Sequence, residues 1–197
     1  YRVAKIKRII VSTYQAVSGT GRLAIKELQN QTKDFVENKK ISQISAYPHQ
    51  IAFNLLPHIG SFQDLDFTTE EWKMVKETHK ILHDETIAIS ATAVRVPVFN
   101  SHAEAIYLET EKNLSLTEIK DILAQSPGIK IIDQPAQNLY PMPINADGTD
   151  EVYIGRIRRD LFYQNGIHLW CVADNLRKGA ATNAIQIAEL LIQKKLI

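Results

Sequence analysis

The stretch that most limits how this chain can fold is near its start. An apolar run, Ile9-Ile10-Val11, leads into small and polar residues, Ser12 to Gly21, and then into a helical pattern carrying Leu23, Leu28 and Val36. A strand over Ile9–Thr13, a tight turn and a helix over 20–38 follow from that order. The backbone N–H groups at such a helix start have no partner within the helix and suit an anion.

Further along, Thr68-Thr69-Glu70-Glu71 reads as a capping box opening a helix to about His83, and Ser115-Leu116-Thr117-Glu118 as a second. Thr86 to Phe99 is β-rich. Val94, Val96 and Val98 alternate with Arg95, Pro97 and Phe99, which predicts Arg95 on the face opposite the valines. Strands are also predicted at 103–109, 129–132, around Val152, Ile154 and Ile157 with a bulge at Gly155, and at 167–173, the last buried. Segments 45–60 and 133–150 read as loops, the second a long surface loop. Gly179 onward reads as a helix with a broad Ala/Ile/Leu stripe. Strands and helices do not alternate strictly, so the expected class is α+β: a mixed, largely antiparallel sheet covered by helices. A sheet face left bare would call for another subunit.

Composition narrows the function. A net charge of +1 gives no reason to expect nucleic acid or an anionic membrane as partner, and no apolar run is long enough to span a bilayer. One cysteine, Cys171, excludes an intrachain disulfide and lies in the apolar run Leu169-Trp170-Cys171-Val172, where a thiol is expected to be inert. The histidines at 49, 58, 79, 83 and 168 show no metal-ligand spacing, and no metal is expected. The chain opens at Tyr1 in mid-pattern, which reads as a boundary or a processed start, and the expected compartment is the cytoplasm.

Arg95 and His102 are the sharpest pair, one near a strand end and the other opening the next strand. An arginine fork suits a carboxylate, and an imidazole moves protons near neutral pH. On composition alone a surface ion pair and a strand-end histidine are the more ordinary reading. Glu70 and Lys73 share one face of a first helical turn, where an exposed pair is worth a few tenths of a kcal/mol, ~0.3–0.5. Gln15 follows the first strand and can donate and accept at once, to a ligand or to local backbone. Ser18-Gly19 is a weak signal by itself, and Asn175 is also a plausible Asx helix cap.

The words Ser-Thr-Tyr-Gln-Ala-Val-Ser-Gly-Thr-Gly (12–21), Glu-Glu-Trp-Lys (70–73), Arg-Val-Pro-Val-Phe-Asn-Ser-His-Ala-Glu (95–104) and Trp170 to Ala184, taken in order, resemble aspartate-semialdehyde dehydrogenase. Several family members have Ser where Ala103 stands. The resemblance implies the C-terminal part of that enzyme, with a fold like the C-terminal domain of glyceraldehyde-3-phosphate dehydrogenase-like enzymes. It implies residues 1–174 as a substrate-binding and dimerisation domain, and 175–197 as a helix returning to an N-terminal dinucleotide-binding domain. It implies NADP as cofactor, a homodimer, and reduction of aspartyl phosphate to aspartate semialdehyde in lysine, methionine, threonine and isoleucine biosynthesis. By the same resemblance His102 is the acid/base, Arg95 holds the α-carboxylate, Glu70 the amino group and Lys73 the phosphate. Gln15 binds substrate, and Ser18, Gly19 and Asn175 meet the cofactor. The family's nucleophilic cysteine precedes Ser12 and is not in this sequence, so the chain alone is expected to be inactive. A related reductase acting on N-acetylglutamyl phosphate, and a non-catalytic association module, are the alternatives.

Overall fold

A computed structural model describes residue 1, residues 3–41 and residues 44–196. In chain order the elements are β1 (Ile6–Gln15), α1 (Arg22–Val36), α2 (Thr69–Leu82), β2 (Ala88–Arg95), β3 (His102–Thr110), α3 (Leu116–Ala124), β4 (Ile129–Ile131), α4 (Pro143–Ala146), β5 (Val152–Arg159), β6 (Gly166–Ala173) and α5 (Thr182–Gln193). The strands form one sheet in the order β2-β1-β3-β6-β5-β4. The β1–β2 and β4–β5 pairs are parallel and the other pairs antiparallel, which is the expected mixed α+β architecture.

Both capping boxes form. Thr68 accepts from the Glu71 amide and returns its own amide to the Glu71 carboxylate, and Ser115 and Glu118 do the same for α3. Glu71 has a second task. It is buried, and its other carboxylate oxygen accepts the Ala93 amide at 2.9 Å. β2 is an edge strand, so the carboxylate supplies the partner that a further strand would otherwise give.

One sheet face packs on α3 through Ile119, Ile154, Ile157 and Ile167. A second apolar cluster joins Val17, Ala24, Leu28, Ile51, Ala52 and Leu56, tying α1 to the irregular 45–56 segment. The opposite sheet face is covered at one end only, where Ala146 meets Ala103, Tyr153 and Val172.

Several expectations need correction. β2 ends at Arg95, and its buried side is Ala91, Ala93 and Arg95. The alternation through Val96 and Val98 therefore does not continue a strand, because their backbone turns away to bond the segment after β1: Val17 N donates to Val98 O at 2.9 Å. The 133–150 segment is not a plain surface loop. It holds α4 with proline in its first turn, and Pro141 is buried, its carbonyl accepting from Trp170 Nε1 at 2.9 Å. β6 is fully buried only at Gly166, Ile167 and Val172; Leu169 and Cys171 on the α3 side, and His168 and Trp170 on the other, are half-buried. A π-helical turn over Arg177–Ala181 precedes α5, and no residue of α5 is buried. The bulge falls as expected, between Gly155 and Arg158.

Replacing Glu71 with alanine leaves the Thr68 and Ala93 amides without acceptors in a buried setting. We expect a loss of ~2 kcal/mol in urea unfolding, against under about 0.5 kcal/mol for the exposed neighbour Glu77→Ala.

Candidate functional site

Residues opposite one another in a ladder share a face. Gln15 pairs with Arg95, and Tyr14 pairs with Ala103, which puts His102 next to Gln15 in the same end row. Three of the residues singled out in the sequence thus stand side by side at the ends of β2, β1 and β3.

Ala16, buried and just past β1, holds the outer two. Its carbonyl accepts from Arg95 Nη1 at 2.6 Å, and its amide donates to His102 Nδ1 at 3.1 Å. That second bond assigns the imidazole proton to Nε2. Arg95 is only 5 % exposed, and its Nε has no hydrogen-bond partner. Burial lowers the guanidinium pKa while the Tyr47 and Glu70 charges oppose the shift; an arginine stays charged regardless. For His102 burial is the largest cause and the nearby Arg95 cation adds to it, pushing the imidazole down to about 4. The ring is neutral at pH 7.

α2 brings the acidic partner. Gln15 Nε2 donates to Glu70 Oε1 at 3.2 Å, and Glu70 Oε2 lies 3.5 Å from Lys73 Nζ. Gly19 sits against the other end of the row. A Cβ there would lie 3.2 Å from Arg95 Nη1 and 3.3 Å from His102 Nε2, so the glycine is what lets this turn approach both side chains. Ser18 Oγ and the Asn175 side chain exchange hydrogen bonds, and Asn175 Oδ1 also accepts the Ser101 amide at 2.9 Å. The eight residues expected at a site thus fall into three groups: Gln15 with Glu70 and Lys73, Arg95 and His102 joined through Ala16 with Gly19 against both, and Ser18 with Asn175.

The structure differs from expectation at one of them. The helix-capping role considered for Asn175 belongs to Asp174, whose Oδ1 accepts from the amides of Leu176 and Arg177. Sequence reading also passed over Ala16, whose contribution is purely backbone, and Ser101, which is buried in a left-handed conformation at φ 70°. Tyr47 was missed too: its ring lies 6.0 Å from Arg95 Cζ. Nothing in the local sequence around Tyr47 signals that contact. Cys171 is no rival to this cluster, because burial first, and Glu104 second, push its thiol up to about 12. A groove of about 740 Å³ lies elsewhere, between α2 and α3, and is lined chiefly by apolar side chains such as Ile81, Leu108, Ile119 and Leu169.

Comparison with known proteins follows the same lines. Aspartate-semialdehyde dehydrogenase of Aquifex aeolicus is 56% identical over 197 residues, which is 100% of this chain and 58% of the relative. The solved structure of aspartate semialdehyde dehydrogenase II from Vibrio cholerae, in complex with ASA, superposes with a TM-score of 0.93 at 45% identity, covering 98% of this chain and 56% of that one. The Candida albicans enzyme solved with NADP shares the fold, with a TM-score of 0.69 at 24% identity over 98% of this chain and 52% of its own. The chain spans a little more than half the length of these relatives. Residues 1–178 match the family model described as semialdehyde dehydrogenase, dimerisation domain, and the chain belongs to that family.

Proposed function

We propose that this chain is the C-terminal, substrate-binding part of an NADP-dependent aspartate-semialdehyde dehydrogenase, which converts L-aspartyl 4-phosphate to L-aspartate 4-semialdehyde and phosphate. The observation that carries this is the buried Arg95 guanidinium with an unspent Nε donor, set beside a neutral histidine. A buried cation with an unpaired N–H calls for an anionic acceptor such as a carboxylate.

The charges of the cluster complement that substrate. Arg95 takes the α-carboxylate, Glu70 the ammonium and Lys73 the phosphate, two cations and one anion against two anionic groups and one cation. Gln15, bonded to Glu70, holds the carboxylate oxygen in place and offers its amide to the substrate. Lys73 is the exposed member, suited to a phosphate that must arrive and leave. These contacts position the acyl group. With Nδ1 engaged by Ala16, His102 presents its Nε2 proton to the oxygen that gains charge in the tetrahedral species. The attacking thiol comes from outside this chain, since Cys171 is held protonated within the fold.

NADP fits the Ser18–Gly19 turn. Gly19 presents no side chain there, and Gly21, at φ 101°, stands at the N-cap of α1 and leaves its first amides without a side-chain cap. When bound, NADPH supplies the hydride. Ser18, Gly19 and Asn175 would hold its nicotinamide end against the row of Gln15, Arg95 and His102. α5, with Ile185 and Ile192 exposed at 60% and 62%, would close the chain back onto the nucleotide-binding domain, giving 1–174 and 175–197 their separate tasks. The half-covered sheet face, bearing Tyr14, Tyr107 and Trp170, would be covered by a second copy of the chain. The N-acetylglutamyl phosphate alternative is disfavoured by Glu70, since an acylated nitrogen carries no charge for a carboxylate to meet.

Assay of the complete enzyme with aspartate semialdehyde, NADP and phosphate tests these roles. Arg95→Lys is expected to raise KM for the semialdehyde at least ~10-fold, and His102→Gln to lower kcat roughly 100-fold or more. An Arg95→Lys enzyme with unchanged KM would remove the carboxylate assignment. The chain by itself should show no turnover. Sedimentation of the chain should give a dimer, and a purely monomeric boundary would count against the second copy.

The depressed His102 pKa also sets a stability slope. Between pH 6.5 and about pH 4 the unfolded chain binds a proton that the folded chain refuses. Stability is full above pH 6.5 and falls as the pH drops toward 4, by on the order of 3 kcal/mol from this one residue. Urea unfolding at pH 7.5 and 4.5 should show a smaller acid loss for His102→Gln than for the unaltered chain.

A further inference from the structure

Tyr47 stands in the irregular segment between α1 and α2, and two buried side chains of α1 bracket it. Glu27 is 3% exposed, and its Oε2 accepts from Ser45 N at 2.8 Å, Ser45 Oγ at 2.9 Å and Ala46 N at 2.6 Å. Gln31 is fully buried, and its Oε1 accepts from Ile51 N and Ala52 N, each at 3.0 Å. The two are joined by a 3.2 Å bond from Gln31 Nε2 to Glu27 Oε1. The backbone on either side of Tyr47 is thus held by one rigid helix. Farther along the same segment, Leu56 exchanges backbone hydrogen bonds with Arg95. The segment therefore touches Arg95 twice, through its main chain at Leu56 and its side chain at Tyr47.

The Tyr47 contact lies on a particular part of the arginine. Arg95 Cζ is 6.0 Å from the ring centroid, so the aromatic ring meets the guanidinium over its ring face. The N–H donors of a guanidinium point outward in its plane. One of those donors, Nη1, is given to the Ala16 carbonyl, and Nε has no hydrogen-bond partner. The Tyr47 hydroxyl meanwhile donates to Thr20 Oγ1 at 2.9 Å, next to Gly19. Burial raises the phenol pKa, which keeps that proton in place across the working range.

We propose that Tyr47 is a positioning residue of the substrate site: its ring, with the Arg95 guanidinium over it, steadies that group for capture of the substrate carboxylate, and its hydroxyl ties that wall to the Ser18–Gly19 turn. This rests on the carboxylate role proposed above for Arg95. The ring sets affinity for the carboxylate-bearing substrate, and the hydroxyl couples the same wall to the turn assigned to the cofactor.

The test compares Tyr47→Phe, Tyr47→Leu and Tyr47→Met in the complete enzyme, with Arg95→Lys as reference. Tyr47→Leu is expected to raise KM for aspartate semialdehyde about 10-fold, the size of a desolvated cation–π contact, with kcat within about 3-fold. Tyr47→Phe should restore that KM to within about 2-fold and raise KM for NADP about 3-fold, the size of one neutral hydrogen bond. Thermal melts accompany each variant, and Tyr47→Met, close in volume but without a ring, replaces Tyr47→Leu if the latter does not fold. A leucine or methionine enzyme with unchanged semialdehyde KM overturns the proposal, as does a raised KM that phenylalanine fails to restore. If Arg95→Lys raises KM while the loss of the ring does not, only the Tyr47 assignment falls. If Arg95→Lys is also silent, the carboxylate site itself was misplaced.

Discussion

The site depends on how one buried residue without functional groups of its own spends its backbone. Ala16 gives its amide to His102 and its carbonyl to Arg95, so two side chains that arrive from different strands are set against a single point. A side-chain tether would add rotamers that must be frozen; a backbone tether in a sheet end is already ordered. The same residue decides the imidazole tautomer and takes up one of the arginine's donors, while Nε has no hydrogen-bond partner. Charge, proton position and reach at this end of the sheet all follow from that arrangement.

Around it, each helix does one job. α2 covers the edge of β2 through Glu71 and, from the same first turn, sends Glu70 to Gln15, so one capping turn serves both the sheet edge and the end row of the strands. α1 clamps the 45–52 segment with Glu27 and Gln31, and that segment brings the Tyr47 ring within 6.0 Å of Arg95 Cζ. Buried polar groups of this kind are costly unless every partner is present. Here the partners are main-chain amides of an otherwise irregular segment, and their satisfaction explains how a stretch with Pro48 and Pro57 and no regular element can be ordered.

Much of this was readable beforehand. The two capping boxes, the helix positions and most strands follow from periodicity and local side-chain chemistry, because those signals act over four to ten residues. The eight residues expected at a site were singled out because chemistry-bearing words stood out in order along the chain. What escaped was set by tertiary structure. The Val94–Val98 alternation looked like a continuing strand, but hydrogen bonds from a segment about 80 residues earlier turn the chain away after Arg95. The 133–150 segment looked like a solvent loop, yet Pro141 is buried under Trp170. Ala16 and Tyr47 carry no local mark of their roles, because a backbone acceptor and an aromatic face acquire meaning only from what is brought against them.

The parallel pairing of β1 with β2 has a further consequence. Gln15 and Arg95 are opposite one another, but 79 residues separate Ala16 from Arg95, and both strands have side chains that alternate between faces. Removal of one residue within β2 would rotate the guanidinium to the far side of the sheet while leaving the hydrogen-bonded ladder almost intact. A chain so altered would keep its shape and no longer hold the guanidinium beside Gln15 and His102. Strand length, a property with no chemistry of its own, is therefore under the same constraint as the reactive groups, and insertions in this molecule belong in its outer connections and not in the ladder.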